Sequence, residues 1–174
     1  MATLVLTIVG PDRTGLVDSV AEAVANHGGN WMESRMAHLG GKFAGILRVS
    51  VPDDKAAELM TALEALSAAG LRVIAEEDAV APASDADKTF SLHLVGSDRP
   101  GIVREVTHIL ALKNVNVEEF ETKCTAAPMS GGLIFHASAQ LRLPPGLKPG
   151  ELRDDLEQVA HDMMVDITLN STDE

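Results

Sequence analysis

An internal repeat runs through this sequence, and it limits the folds that the chain can adopt. Residues 9–17 (VGPDRTGLV) align with residues 95–103 (VGSDRPGIV) at an offset of 86 positions, 95 minus 9. The same offset pairs Asn30 with Asn116, and it grows to 92 further on, which places an insertion in the second copy near residues 126–130. Because one offset holds across a turn, a helical period and the next strand, the chain is predicted to be a duplication.

Each copy shows the same order of hydrophobic periods. In the first copy, residues 4–9 have one clearly apolar face at the strand period, and residues 16–24 are apolar at helical spacing. Two strands joined by a Gly40-Gly41 turn, a second amphipathic helix and a last strand follow. This order predicts an α+β fold of two tandem ferredoxin-like βαββαβ domains, each an antiparallel sheet with both helices on one face.

A segment of different composition separates the two copies. Residues 79–88 (AVAPASDADK) are small and polar without periodicity, which is typical of a linker. The predicted domains are therefore residues 1–78 and residues 89–174. A domain of this size buries a small share of its surface, so the two copies are expected to stabilise each other or to form a homodimer.

The charge of the chain narrows the choice of partners. Its formal net charge is −12, with 26 acidic and 14 basic residues. Such a surface repels phosphate backbones and anionic lipid headgroups, so neither direct nucleic-acid binding nor membrane binding is expected. Any role in gene regulation would pass through another protein. Since no signal peptide and no membrane-length apolar stretch is recognisable, the protein is expected to be cytoplasmic.

The sequence lacks the patterns of catalytic and metal sites. Its six histidines and its single cysteine, Cys124, do not have metal-ligand spacing, and there is no phosphate-binding glycine-rich loop. No enzyme activity and no cofactor are therefore expected. Cys124 aligns with His38 and is predicted to be a small packed residue rather than a reactive thiol.

The turn between the first strand and the first helix has the polarity of an amino-acid binding site. Asp12 and Asp98 lie where the strand is predicted to end and the helix to begin. A helix N-terminus offers unpaired N–H groups to a carboxylate, and Gly15 and Gly101 let a ligand approach the main chain closely. The aspartate could meet an ammonium group.

The same residues also fit a purely structural explanation. Aspartate is a favoured N-cap, and proline is well placed in a first helical turn. Arg13 and Arg99 could be solvated or paired surface charges, and Asn30 and Asn116 could be ordinary turn residues. A glycine in a first helical turn costs up to about 1 kcal/mol relative to alanine, which favours a functional reason for it. Both explanations stay open at this stage.

A strand, the turn Asp-Arg-Pro-Gly-Ile-Val, a helix and an asparagine at the start of the next strand together resemble the ACT domain, a small amino-acid-sensing module. The resemblance covers both halves outside the linker. A tandem pair without an attached enzyme is similar to the glycine cleavage system transcriptional repressor family. That similarity implies a non-catalytic regulator that senses a small amino acid such as glycine. It also implies protein–protein contact with a transcription activator of the LysR type.

The resemblance further implies two ligand sites, each between two units whose sheets lie side by side. Thr14 replaces the usual proline in the first copy, and both turns have aspartate where some amino-acid-binding relatives have asparagine, so the sites need not be equivalent. The alternative to a sensor is a ligand-independent interaction module. The implied sites consist of Asp12, Arg13, Thr14, Gly15 and Leu16 facing Asn116, and of Asp98, Arg99, Pro100, Gly101 and Ile102 facing Asn30.

Overall fold

The computed structural model describes residues 1–78, 88–129 and 131–172. The chain divides into two compact units, residues 1–81 (unit 1) and residues 82–174 (unit 2), and each is described by itself. The predicted linker lies outside the described residues except for Lys88, which is the first residue of a strand. The predicted domain boundaries at 78 and 89 stay predictions.

In the part of the chain that the structure describes, each unit contains four strands and two α-helices in the predicted order. Unit 1 consists of β1 (Ala2–Pro11), α1 (Leu16–Asn26), β2 (Asn30–Leu39), β3 (Lys42–Val51), α2 (Ala56–Ala65) and β4 (Arg72–Glu77), with short 3-10 turns at Asp53–Lys55 and Leu66–Ala69. Unit 2 consists of β5 (Lys88–Ser97), α3 (Ile102–Leu112), β6 (Asn116–Ala126), β7 (Leu133–Leu143), α4 (Pro149–Met163) and β8 (Val165–Ser171).

Both sheets have the same antiparallel topology. The strand order is β2-β3-β1-β4 in unit 1 and β6-β7-β5-β8 in unit 2. The central strand of unit 1 places Leu4, Leu6 and Ile8 in the core with the buried faces of α1 and α2, while Thr7 and Val9 on the alternate positions are exposed. Both helices therefore cover one face of the sheet, and the predicted ferredoxin-like α+β fold is confirmed.

The hairpin between the second and third strands differs between the units. In unit 1 it is closed by Gly40 and Gly41, with φ of 56° and 74°. Two positive φ values in succession form the tight turn that matches the twist of a hairpin. In unit 2, β6 ends at Ala126 and β7 begins at Leu133. The two strands are thus further apart in sequence than β2 and β3, which confirms the insertion predicted near residues 126–130.

Two further observations concern the surface of the molecule. The part of the chain that the structure describes contains no helix that is both long and apolar enough to cross a membrane. Cys124 is exposed, so its prediction as a packed residue is wrong. The reason is its strand: β6 lies at the sheet edge, and all of its residues are exposed.

Candidate functional site

The turn between the first strand and the first helix is anchored in the same way in both units. The Asp12 N–H donates to the carbonyl of Gly41 at 3.0 Å, and the Asp98 N–H donates to the carbonyl of Leu133 at 2.8 Å. Gly41 directly precedes β3 and Leu133 is the first residue of β7, so both acceptors lie where the third strand begins. The main chain of each aspartate is thus tied to the sheet, while its side chain is exposed.

The helices begin at the glycines rather than at the aspartates. Gly15 and Gly101 are the N-cap residues, with φ of 86° and 98°, and neither helix has a side-chain cap hydrogen bond. The explanation of Asp12 and Asp98 as N-caps is therefore wrong, because both lie three residues before the cap. Pro100 also precedes the cap and does not lie in the first helical turn.

The conformation of the glycines explains why this residue type stands in both turns. At a positive φ a Cβ comes too close to the following carbonyl, at a cost of roughly 1–2 kcal/mol. The expectation that these glycines lie inside the first helical turn is thus corrected. The main chain itself requires them at the cap, so their presence in both copies does not by itself indicate ligand access. A Cβ added at Gly15 or Gly101 would meet no atom within 4 Å, so the space beside both residues is open.

Main-chain donors point out of both helix starts. The first helical bonds run from the Ser19 N–H to the Gly15 carbonyl and from the Glu105 N–H to the Gly101 carbonyl, each at 3.0 Å. Among the described residues, no protein group accepts a hydrogen bond from the N–H groups of residues 16–18 or 102–104. Such groups, together with the helix dipole, bind carboxylates and other anions.

Some predicted site residues can offer only their main chain. The side chains of Leu16 and Ile102 are buried in the two cores, so a ligand at the turn can reach their N–H groups but not their side chains. The next residues, Val17 and Val103, are 42% and 39% exposed. The helical spacing of residues 16–24 did not distinguish these exposed valines from the buried positions, although they follow the turn at the same distance in both copies. They offer an apolar contact beside the free N–H groups.

The two arginines of the turns have different surroundings. The Arg13 guanidinium donates to the carbonyl of Ala69 at the end of the second 3-10 turn, so it ties the turn to the connection before β4. Arg99 Nε is buried and is the one side-chain nitrogen or oxygen of this kind without a hydrogen-bond partner among the described residues. A buried donor left unsatisfied costs about 1–3 kcal/mol. In unit 1 the arginine of the turn thus makes a hydrogen bond within the fold, whereas in unit 2 the Nε of Arg99 makes none among the described residues.

A concavity of about 200 Å³ lies beside the turn of unit 2. Its two carboxylates, Glu105 and Asp162, make it acidic: Glu105 pairs with Arg104 at 2.8 Å and Asp162 accepts from Gln158 at 3.1 Å. In unit 1 the position of Glu105 is held by Ser19, whose hydroxyl donates to the Gly15 carbonyl at 2.9 Å. The two turns are thus chemically different. The concavity is lined by Pro100, Gly101, Glu105, Val159, Asp162 and Met163.

The asparagines open the second strand of each unit, as predicted, but they lie far from the turn of their own unit. Asn30 pairs with Ser50, which pairs with Thr3 at the opposite end of β1 from Asp12. Nine residues of strand at ~3.3 Å each separate the two ends by about 30 Å. Asn116 is placed likewise, and its amide donates to the Glu118 carboxylate. Within one unit, the asparagine and the turn cannot touch one small ligand.

Cys124 is a neighbour of the unit 2 turn that sequence reasoning did not place there. Partial loss of solvation raises the pKa of its thiol, and the negative charge of Asp98 and a hydrogen bond with that carboxylate raise it further. The thiol is therefore held in its protonated form beside Asp98. Within the described ranges, no group of three or more histidine, cysteine or acidic side chains could hold a metal ion.

Comparison with known proteins places this geometry in a family. Residues 2–74 match the sequence model of the ACT domain. A crystal structure of an unknown protein from Galdieria sulphuraria is 32% identical, covers 98% of this chain and 98% of its own, and superposes with a TM-score of 0.89. A candidate glycine cleavage system transcriptional repressor is 21% identical, covers 99% of this chain and 98% of its own, with a TM-score of 0.72, and shows the same fold. No curated protein sequence matches the chain.

Proposed function

Since the chain belongs to the ACT domain family and contains the fold twice, we propose that it is a non-catalytic regulatory protein that binds a small amino acid, such as glycine. It would control a transcription activator through protein–protein contact. The observation that carries this proposal is the pair of helix starts with a left-handed glycine and no side-chain cap. The net charge of −12 supports a protein partner rather than direct contact with nucleic acid.

The turn of unit 2 has the chemistry for the two charged ends of an amino acid. The ligand carboxylate would accept hydrogen bonds from the N–H groups of residues 102–104, which have no protein acceptor among the described residues. The ligand ammonium would face the carboxylates of Glu105 and Asp162. A volume of about 200 Å³ favours a small side chain, with Val159 and Met163 as its apolar neighbours.

The asparagines enter the proposal through a second copy of the fold. Because Asn30 and Asn116 lie at the far end of their own sheets, either can reach a ligand at a turn only when another copy supplies that turn. The proposal therefore has each site shared by two copies, which are the two halves of one chain or two chains of a homodimer. Loss of binding on Asn30→Ala or Asn116→Ala is the expected result.

Thermal unfolding with each common amino acid tests the proposal. Ligand at a hundred times its Kd adds about 2.7 kcal/mol, which for a chain of this length raises Tm by about 5–10 °C. Asp162→Asn should reduce the shift, because it removes one of the two carboxylates that are proposed to face the ligand ammonium. Asp154→Asn on the exposed face of α4 is the matched control. If no amino acid shifts Tm at millimolar concentration, the sensor part of the proposal fails.

A ligand-independent interaction module is the second candidate, and one observation favours it. On the helix-free face of the unit 1 sheet, Ile46 and Ile74 are 57% and 52% exposed, and exposed apolar clusters often mark protein contacts. This candidate expects self-association, measured by sedimentation, that is the same with and without amino acids. The sensor expects the association to change with ligand.

A further inference from the structure

The sheet of unit 2 has a concavity on the face that carries no helix. Its volume is about 340 Å³, and it crosses the three strands β6, β7 and β5. We call it the open-face groove, and define it by the side chains of His93, Glu121, Lys123, His136 and Ser138.

The strand register places the polar groups of the groove in two adjacent rows. Glu121, Ser138 and His93 stand opposite one another in one row. Lys123 and His136 stand opposite each other in the next row, two residues along each strand. Rows two residues apart on one sheet face are ~7 Å apart. An acidic and a basic group are thus held side by side, at the spacing of a small molecule with two charged ends.

Most of these groups are free to bind a ligand. Among the described residues, Glu121 and Lys123 have no ion-pair partner, and the side chains of His93 and Ser138 make no hydrogen bond. His136 Nε2 lies 3.0 Å from Thr125 Oγ1, which fixes the orientation of its ring. The groove therefore offers an ammonium, a carboxylate and a hydroxyl that the fold itself does not use.

The other copy of the fold shows that the fold does not require this polarity. By the register of unit 1, the positions of Glu121 and Lys123 are held by Arg35 and Ala37. The positions of His93, His136 and Ser138 are held by Thr7, Ala44 and Ile46. One copy thus builds the same sheet with a largely apolar face, so the polar groups of unit 2 need a reason other than folding.

We propose that the open-face groove is a second binding site, for a small zwitterion that carries an amine and a carboxylate. Lys123 and His136 hold the carboxylate, Glu121 holds the amine, and Ser138 donates to or accepts from the ligand between them. A zwitterion fits because it is neutral overall, so the net charge of −12 does not repel it as it would repel a polyanion. The site is separate from the turn and does not depend on the proposed sensor function.

NMR titration of the full-length protein tests the proposal, with the imidazole signals of His93 and His136 as reporters. The probes are L-alanine, and acetate and methylammonium as the two halves of the zwitterion. L-alanine should shift both imidazole signals saturably, and each half alone should bind at least tenfold more weakly. The double variant Glu121→Arg/Lys123→Ala copies the residues of unit 1 and should weaken L-alanine binding at least tenfold, which is about 1.4 kcal/mol.

Two control variants separate this site from the turn and from a general charge effect. Glu157→Arg/Lys148→Ala makes the same charge change at exposed positions of α4 and the residue before it, and should leave the titration unchanged. Asp98→Asn at the turn should also leave it unchanged. The proposal is overturned if the imidazole signals do not move, if acetate alone binds as tightly as L-alanine, or if Asp98→Asn abolishes the shifts while the double variant keeps them.

Discussion

The left-handed glycine at the start of α3 leads to a prediction that can be worked out from its geometry. Gly101 has φ of 98°, and a Cβ added there would meet no atom within 4 Å. Gly101→Ala therefore costs backbone strain without a clash, roughly 1–2 kcal/mol. Alanine also reduces the entropy of the unfolded chain, which returns about 0.4–1 kcal/mol. The expected net loss of stability is about 1 kcal/mol.

A second glycine in the same unit provides a control, because its replacement by alanine should raise the stability rather than lower it. Gly150 is the second residue of α4, has no positive φ, and a Cβ there would also meet nothing within 4 Å. Gly150→Ala should therefore stabilise unit 2 by up to about 1 kcal/mol, since alanine is the better helix former. Both variants replace a hydrogen with a methyl group in open space, so only the main-chain conformation distinguishes them.

Urea unfolding of the full chain, followed by circular dichroism, measures both changes. Because both glycines belong to unit 2, their effects should appear in the same transition, with midpoints on opposite sides of the wild-type midpoint. Gly101→Asn should lose less than Gly101→Ala, since asparagine adopts the left-handed conformation more readily. If Gly101→Ala is as stable as wild type, the inference that the main chain requires this glycine is refuted.

Two more predictions concern the surroundings of the turns. Arg13→Met removes the hydrogen bond to the Ala69 carbonyl and should lower the free energy of unfolding by about 1 kcal/mol; Arg99→Met should lose less in the same urea assay, since Arg99 Nε has no partner among the described residues. Because its raised pKa keeps the Cys124 thiol protonated, alkylation by iodoacetamide should be slower than for a free thiol and faster in Asp98→Asn, which mass spectrometry would follow. Equal rates in the two proteins would contradict the contact between the carboxylate and the thiol.

The fold could be predicted because its determinants are periodic and occur twice. The strand period of residues 4–9 marked β1, the helical spacing of residues 16–24 marked α1, and the same order of periods in the second copy marked β5 and α3. The repeat added the information that a single copy lacks, since a period seen at one offset in both halves is unlikely to arise by chance. Gly40 and Gly41 fixed the hairpin because only a turn with two positive φ values needs such a pair.

The details of the turn could not be predicted in the same way. Aspartate is common at N-caps, yet here the cap is the glycine three residues later, and residue preferences alone do not distinguish the two positions. The prediction for Cys124 was wrong because its alignment with His38 gives only its position along the strand. The alignment does not show that β6 is an edge strand whose residues are all exposed. The contact between Cys124 and Asp98 depends on the register of β6, which sequence spacing does not report.

Because the fold occurs twice, the turns of the two units can be compared to separate what the main chain requires from what ligand binding would require. What the two turns share is what the main chain needs: the glycine with positive φ and the aspartate N–H bonded to the neighbouring hairpin. What differs is the chemistry around them, because unit 1 uses Arg13 and Ser19 in its own hydrogen bonds. Unit 2 instead has Glu105 in an acidic concavity and a buried, unpaired Arg99 Nε. The sensor proposal therefore expects the two turns to bind the same ligand with unequal affinities. Equal affinities would mean that the side chains that differ between the turns take no part in ligand recognition.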